Sequence, residues 1–189
     1  MSAAESPSSA AGSEPSFWLW SATLVALAAL AGSLYLSMGM GLKACPLCLY
    51  QRTFVMGVVA VLVVGLFVRE IRPGVLSLLA LPLAAGGLVI AGFHSYLEWI
   101  GVLECPAGIL EIASAPQQSL AALGLLTLLL IIDQLAQGRV AGVVGAIVLG
   151  GLLAFSAVRS APPSPEPTEP YRVPVHQDGC RKPYQPPET

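Results

Sequence analysis

Charge is scarce in this chain. Of 189 residues only 11% are charged, nine basic against eleven acidic, where a soluble domain carries about 25%. The basic residues form no cluster, so the electrostatic footprint of a nucleic-acid binder is missing. Four cysteines and two histidines are too few for a disulfide-dense secreted scaffold. Lys and Arg are absent from the opening MSAAESPSSAAGSEPS. Residues 1–16 therefore lack the charged region of a signal peptide and read as a disordered leader. No internal repeat and no metal, haem or flavin motif is visible.

Apolar residues, by contrast, make up 55% of the chain. They run in blocks too long for a soluble core of this size. Five blocks, about 17–40, 51–68, 74–94, 118–136 and 140–158, read as membrane spans. At about 1.5 Å per residue such blocks cross roughly 30 Å of hydrocarbon. The expected fold is all-α, a polytopic membrane protein built as an antiparallel four-helix bundle plus one additional C-terminal transmembrane helix. Phe17, Trp18 and Trp20 suit an interfacial belt. Arg69 and Arg72 lie in one short connection and Arg139 in another, and the positive-inside rule puts both on the cytoplasmic side. Gly41 to Leu49, His94 to Gln118 and the tail then face outward. The tail, 159–189, opens as a Pro-rich spacer and continues into a segment with His176 and Cys180.

The segment Lys43-Ala44-Cys45-Pro46-Leu47-Cys48-Leu49-Tyr50-Gln51-Arg52 carries the most chemistry. Two cysteines three apart at a helix start can close a small disulfide ring. The helix N-terminus, together with Arg52 one turn beyond Cys48, favours a thiolate there. Two inert cysteines are the plainer alternative. Half of a zinc site is another, needing two more soft ligands that only Cys105 and Cys180 could supply. By the expected topology all four cysteines share the compartment where disulfides form. A Cys105–Cys180 bridge would close about 75 residues, a constraint of order 4 kcal/mol. As a purely structural tie or as an exchange-active pair it remains open.

Cys-Pro-Leu-Cys-Leu-Tyr-Gln-Arg directly after a first span resembles the signature of DsbB-type disulfide-bond formation proteins. These are bacterial membrane thiol oxidases that pass electrons from a thioredoxin-like oxidase to quinone. The resemblance covers roughly Phe17 to Gln137. It implies that Cys45 and Cys48 form the quinone-side pair, with Cys48 next to the quinone. It also implies that Arg52 and His94 lie at the quinone and that Cys105 exchanges with a DsbA-like partner. The acceptor would be ubiquinone or menaquinone, and the setting a bacterial inner membrane with the cysteines on the periplasmic or outer side. The family usually keeps both outer cysteines in the loop between spans three and four and stops after four spans. Here that loop has Cys105 alone, and a fifth span and Cys180 follow. Cys180 then replaces the missing cysteine, is incidental, or leaves the protein with one working pair. Vitamin K epoxide reductase-like proteins share the bundle and the quinone chemistry, but their CxxC comes late in the chain. A non-catalytic membrane scaffold or transporter subunit with structural disulfides is the rival from another class. Lys43, Tyr50, Tyr96 and Trp99 read as interfacial residues, Glu98 as a loop carboxylate, and Asp133 as needing no special role.

Overall fold

The computed structural model describes residues 15–68, 72–162 and 179–184. The leader up to residue 14, Arg69 and the spacer with His176 lie outside the described residues. Among the described residues five helices follow one another: α1 Phe17–Met38, α2 Pro46–Phe67, α3 Pro73–Trp99, α4 Ala115–Ala136 and α5 Val140–Arg159. All five are long and apolar enough to cross a membrane. The described residues contain no sheet, only two isolated bridges.

The helix starts are written into the sequence. Ser16, Cys45 and Ser114 cap α1, α2 and α4 by accepting from the amides of Leu19, Cys48 and Gln117. Proline occupies the first turn of α2, α3 and α4, where a missing N–H costs nothing. Pro46 therefore starts α2 inside the CxxC motif, ahead of the apolar block at residue 51. At its far end α3 runs on through His94 to Trp99. The helices are apolar around most of their circumference. Leu24, Val64, Phe67, Val144 and Phe155 stay exposed, as expected of faces that meet lipid.

The central helix is α3, which packs against α2, α4 and α5, while α1 closes the bundle against α4 and α2. Its inner face is lined with small residues, Ala80, Ala84, Gly86, Gly87 and Ala91, all buried. These let neighbouring backbones approach closely. The closest approach is to α5. A Cβ at Gly150 would come 2.6 Å from the Pro82 carbonyl oxygen and 2.9 Å from the Gly86 amide. The fifth helix is thus seated directly on the backbone of α3.

Two polar clusters mark opposite ends of the bundle. At one end Asp133, 1% exposed, accepts from Ser16, from Ser77 Oγ at 2.5 Å and from Gln137 Nε2 at 2.9 Å. Buried Gln134 donates to the Gly74 carbonyl at 2.8 Å, and Arg139 donates to the same oxygen at 2.8 Å. This knot ties the starts of α1 and α3 to the end of α4. A carboxylate in hydrocarbon needs such donors, so Asp133 has a structural role that its position in the sequence did not suggest. The other end carries the cysteines.

Candidate functional site: a cysteine–histidine cluster beside an apolar cavity

Cys45 is the N-cap of α2, and its Sγ accepts from the Cys48 amide at 3.2 Å. Cys48, one turn into the helix, brings its Sγ to 2.9 Å from that of Cys45, and both are free thiols. Cys105 follows the end of α3, and a disulfide joins it to Cys180, 75 residues further on. The tail around Cys180 is held by backbone pairing. Glu104 N donates to Arg181 O at 2.8 Å, and Arg181 N donates back to Glu104 O at 3.0 Å. Gly179 lies so close to the Lys43 carbonyl and the Cys45 amide that any side chain there would collide with the chain entering α2. Cys180 is therefore clamped over the CxxC motif, not loosely suspended near it.

His94 joins the two pairs. It projects from α3, is fully buried, and holds Nε2 at 3.8 Å from Cys45 Sγ and 3.6 Å from Cys105 Sγ. Its other nitrogen, Nδ1, is 3.2 Å from Gln51 Nε2, and Gln51 Oε1 accepts from Ser119 Oγ at 2.6 Å. In this arrangement the amide NH₂ group donates to Nδ1. An imidazole that accepts at Nδ1 carries its proton on Nε2, facing the sulfurs. Ser119, Gln51 and His94 form one chain from α4 through α2 to α3.

Cys45 lies just outside the span of α2. Its thiol is lowered from the ordinary 9.0 to about 5. The hydrogen bond from the Cys48 thiol contributes most, burial opposes it, and the hydrogen bond from His94 lowers it further. The Cys48 amide at the helix start adds to the same effect.

Beside the cluster, between α1, α2 and α4, opens a cavity of about 210 Å³. An apolar cavity of about 150 Å³ is enough to take benzene, so a ring-sized ligand fits. Its walls are mostly apolar, among them Ala29, Leu36, Val55 and Leu123, and its reactive and polar groups include Lys43, Cys48, Gln51, Arg52, Ser119 and Cys180. Neither Cys45 nor His94 lines it. Arg52 reaches across to α1, where Nε donates to Ser33 Oγ at 2.9 Å and one terminal nitrogen donates to the Ser33 carbonyl at 2.8 Å and to Ser37 Oγ at 2.5 Å. These bonds fix the guanidinium at the cavity wall.

The six expected residues thus divide in two. Cys45, Cys105, Cys180 and His94 meet at the buried cluster, Arg52 belongs to the cavity, and Cys48 and Cys180 border both. Gln51, Ser119, Ser33 and Ser37 were not singled out from sequence, although Gln51 stands inside the motif. Glu98, one turn from His94, does not orient it but accepts from Ser114 Oγ at 2.6 Å.

Two cysteine pairs at one end of a five-helix membrane bundle, joined by a buried histidine and opening on a ring-sized apolar cavity, define a membrane disulfide oxidoreductase. The family described as disulfide bond formation protein DsbB matches residues 15–162. The chain belongs to that family, whose typical activity is thiol:quinone oxidoreduction in the bacterial inner membrane. No curated protein and no solved structure matches the chain.

Proposed function

We propose that this protein reoxidises a thioredoxin-like, DsbA-like thiol oxidase outside the cytoplasm and delivers the electrons to membrane quinone in the cavity between α1, α2 and α4. The observation that carries the reading is the division of labour within the CxxC motif. Cys48 borders the cavity, whereas Cys45 faces His94 and the second pair.

The partner's dithiol reduces the Cys105–Cys180 disulfide and leaves oxidised. The resulting dithiol then reduces a Cys45–Cys48 disulfide, and the bridge at 105–180 reforms. Each exchange breaks one S–S bond, makes another and moves two electrons. Free thiols at Cys45 and Cys48 beside an intact Cys105–Cys180 bridge correspond to the state reached after the second exchange. His94, with Nε2 between Cys45 and Cys105, holds the proton that one sulfur loses and the other gains. The lowered pKa of Cys45 keeps its sulfur a thiolate once the 45–48 bond has opened. Gln51, Arg52, Gln118 and Ser119 would hold the quinone headgroup, and the apolar wall would hold the first part of its tail. When bound, a quinone accepts two electrons and two protons. Arg52 supplies a fixed positive charge there, in a setting where low dielectric makes it effective.

Anaerobic turnover with ubiquinone and menaquinone analogues and a reduced thioredoxin-like partner tests the reading. Quinol formation that depends on Cys48 is expected. A folded protein that forms no quinol with either analogue would favour the scaffold alternative. Orientation is tested separately. A cysteine introduced at Gln185 should react with an impermeant maleimide in intact cells, and labelling only after permeabilisation would overturn the outward placement of the tail.

A further inference from the structure

We propose that the reduced cluster is also a binding site for a single thiophilic divalent cation of the zinc and cadmium class, held by Cys45, Cys48, Cys180 and His94. The ligand atoms of these four residues all lie within 4.8 Å of one another. A tetrahedral zinc with Zn–S near 2.3 Å and Zn–N near 2.0–2.1 Å requires sulfur–nitrogen edges of about 3.5–3.6 Å and sulfur–sulfur edges of about 3.8 Å. The Cys45 Sγ to His94 Nε2 separation of 3.8 Å already comes close. The Cys45–Cys48 pair at 2.9 Å must widen by a rotamer adjustment at one sulfur. Cysteine thiolates and imidazole suit a d¹⁰ cation and offer little to magnesium or calcium.

The surroundings complete the site. A metal-bound histidine donates its second ring N–H to a neighbouring acceptor. A half-turn of the Gln51 amide presents Oε1 to Nδ1–H and NH₂ to Ser119 Oγ, so the same two partners that orient the metal-free ring also serve the bound one. Three thiolates and a neutral imidazole leave the filled site with one net negative charge.

The donors come from both redox pairs, so occupancy depends on redox state. With both pairs oxidised, His94 alone is a ligand. In the state seen here Cys45 and Cys48 join it. A dithiol reductant that opens the Cys105–Cys180 bond, becoming a disulfide itself, frees Cys180 as the fourth. Binding then releases up to three thiol protons and moves no electrons. The site rests on geometry alone. Its consequence, that the cation locks the enzyme in its dithiol form whenever the acceptor runs short, rests on the redox reading above.

The test is cadmium titration of the full-length, metal-free protein in detergent under argon. Binding is followed by thiolate-to-cadmium ultraviolet absorption and by competition with a chromophoric chelator. Fully reduced protein should take one cadmium per chain, at least about 100-fold more tightly than oxidised protein, a comparison that needs no variant. Cys180→Ser and His94→Gln should each weaken binding by at least about 10–100-fold, the loss that removing a mere supporting partner of a ligand already brings, and Cys105→Ser should bind like the parent. No stoichiometric binding by folded reduced protein overturns the proposal, as does equal binding by oxidised protein or by Cys180→Ser. Quinone reduction by the metal-free reduced protein is measured alongside. If it fails while cadmium binds, the site stands and only the lock falls. If it proceeds and cadmium does not bind, the metal site alone is lost.

Discussion

Gln51 bridges the buried His94 to Ser119. Its amide nitrogen lies 3.2 Å from Nδ1 and its carbonyl accepts from Ser119 Oγ at 2.6 Å, an arrangement that leaves the Nε2 proton facing Cys45 and Cys105. Gln51→Leu removes this partner from a fully buried ring and leaves Nδ1 unsatisfied, at a cost of about 1–3 kcal/mol. Exchange between the two pairs should slow by about 10-fold or more, read by rapid mixing of the reduced protein partner with oxidised enzyme and acid quenching. Ser119→Ala should show a smaller effect in the same direction. Unchanged exchange in Gln51→Leu would remove His94 from the relay.

Arg52 holds α1 through three hydrogen bonds to Ser33 and Ser37. Arg52→Met should raise the quinone KM by about 10-fold or more and loosen α1. Lysine keeps the charge but not the fork, so Arg52→Lys should also show a raised KM with a smaller loss of stability. Steady-state kinetics with a short-chain quinone, together with thermal unfolding in detergent, separates the two effects. Parental quinone kinetics in both variants would detach Arg52 from the acceptor.

The pKa of Cys45, about 5, predicts that the reduced protein is alkylated at this residue at a nearly constant rate from about pH 6 to 8 and more slowly below about pH 5. Because the folded value is depressed, the thiolate's contribution to stability is complete above the ordinary thiol value of 9.0 and is lost as the pH falls to about 5. His94→Phe should move the alkylation profile to higher pH. Mass-spectrometric quantification of Cys45 modification across pH reads both outcomes, and an inflection near 9 in the parent protein would refute the assignment.

Cys180→Ser separates a relay from a tie. A relay predicts loss of turnover with the thioredoxin-like partner and retention with a small dithiol, which can reach Cys45 and Cys48 directly. Full activity with both reductants would make the 105–180 bridge purely structural. Gly179→Val is the companion variant. It keeps every cysteine but collides with the chain at Lys43 and Cys45, so it should slow the partner reaction with all thiols intact.

The spans were legible because their signal is local. An unbroken apolar run has one stable fate in lipid, and Pro46, Pro73 and Ser114 mark where helices begin. The motif also showed where the reactive end lies. The histidine network was hidden for a different reason. Gln51 matters through Ser119, 68 residues away, and no spacing rule links them. Nothing local marks Asp133 for a special role, because its donors, Ser16 and Ser77, belong to other helices. Arg52 lies one turn beyond Cys48, but Cys45 caps the helix and does not belong to its first turn, so it points to His94. The placement of Cys180 depends on pairing between Glu104 and Arg181, which a Pro-rich tail does not advertise.

The 75-residue separation of Cys105 from Cys180 also bears on how the protein is made. At about 5–20 residues per second, roughly 4–15 s of synthesis separate the two cysteines. Throughout that interval Cys180 does not yet exist, and any bridge formed to Cys105 is the wrong one. The correct partner arrives only after α5 has been made. Maturation of the second pair is therefore post-insertional, and a ribosome stalled anywhere in the fifth span leaves a chain whose odd cysteine is mispaired or exposed to other proteins.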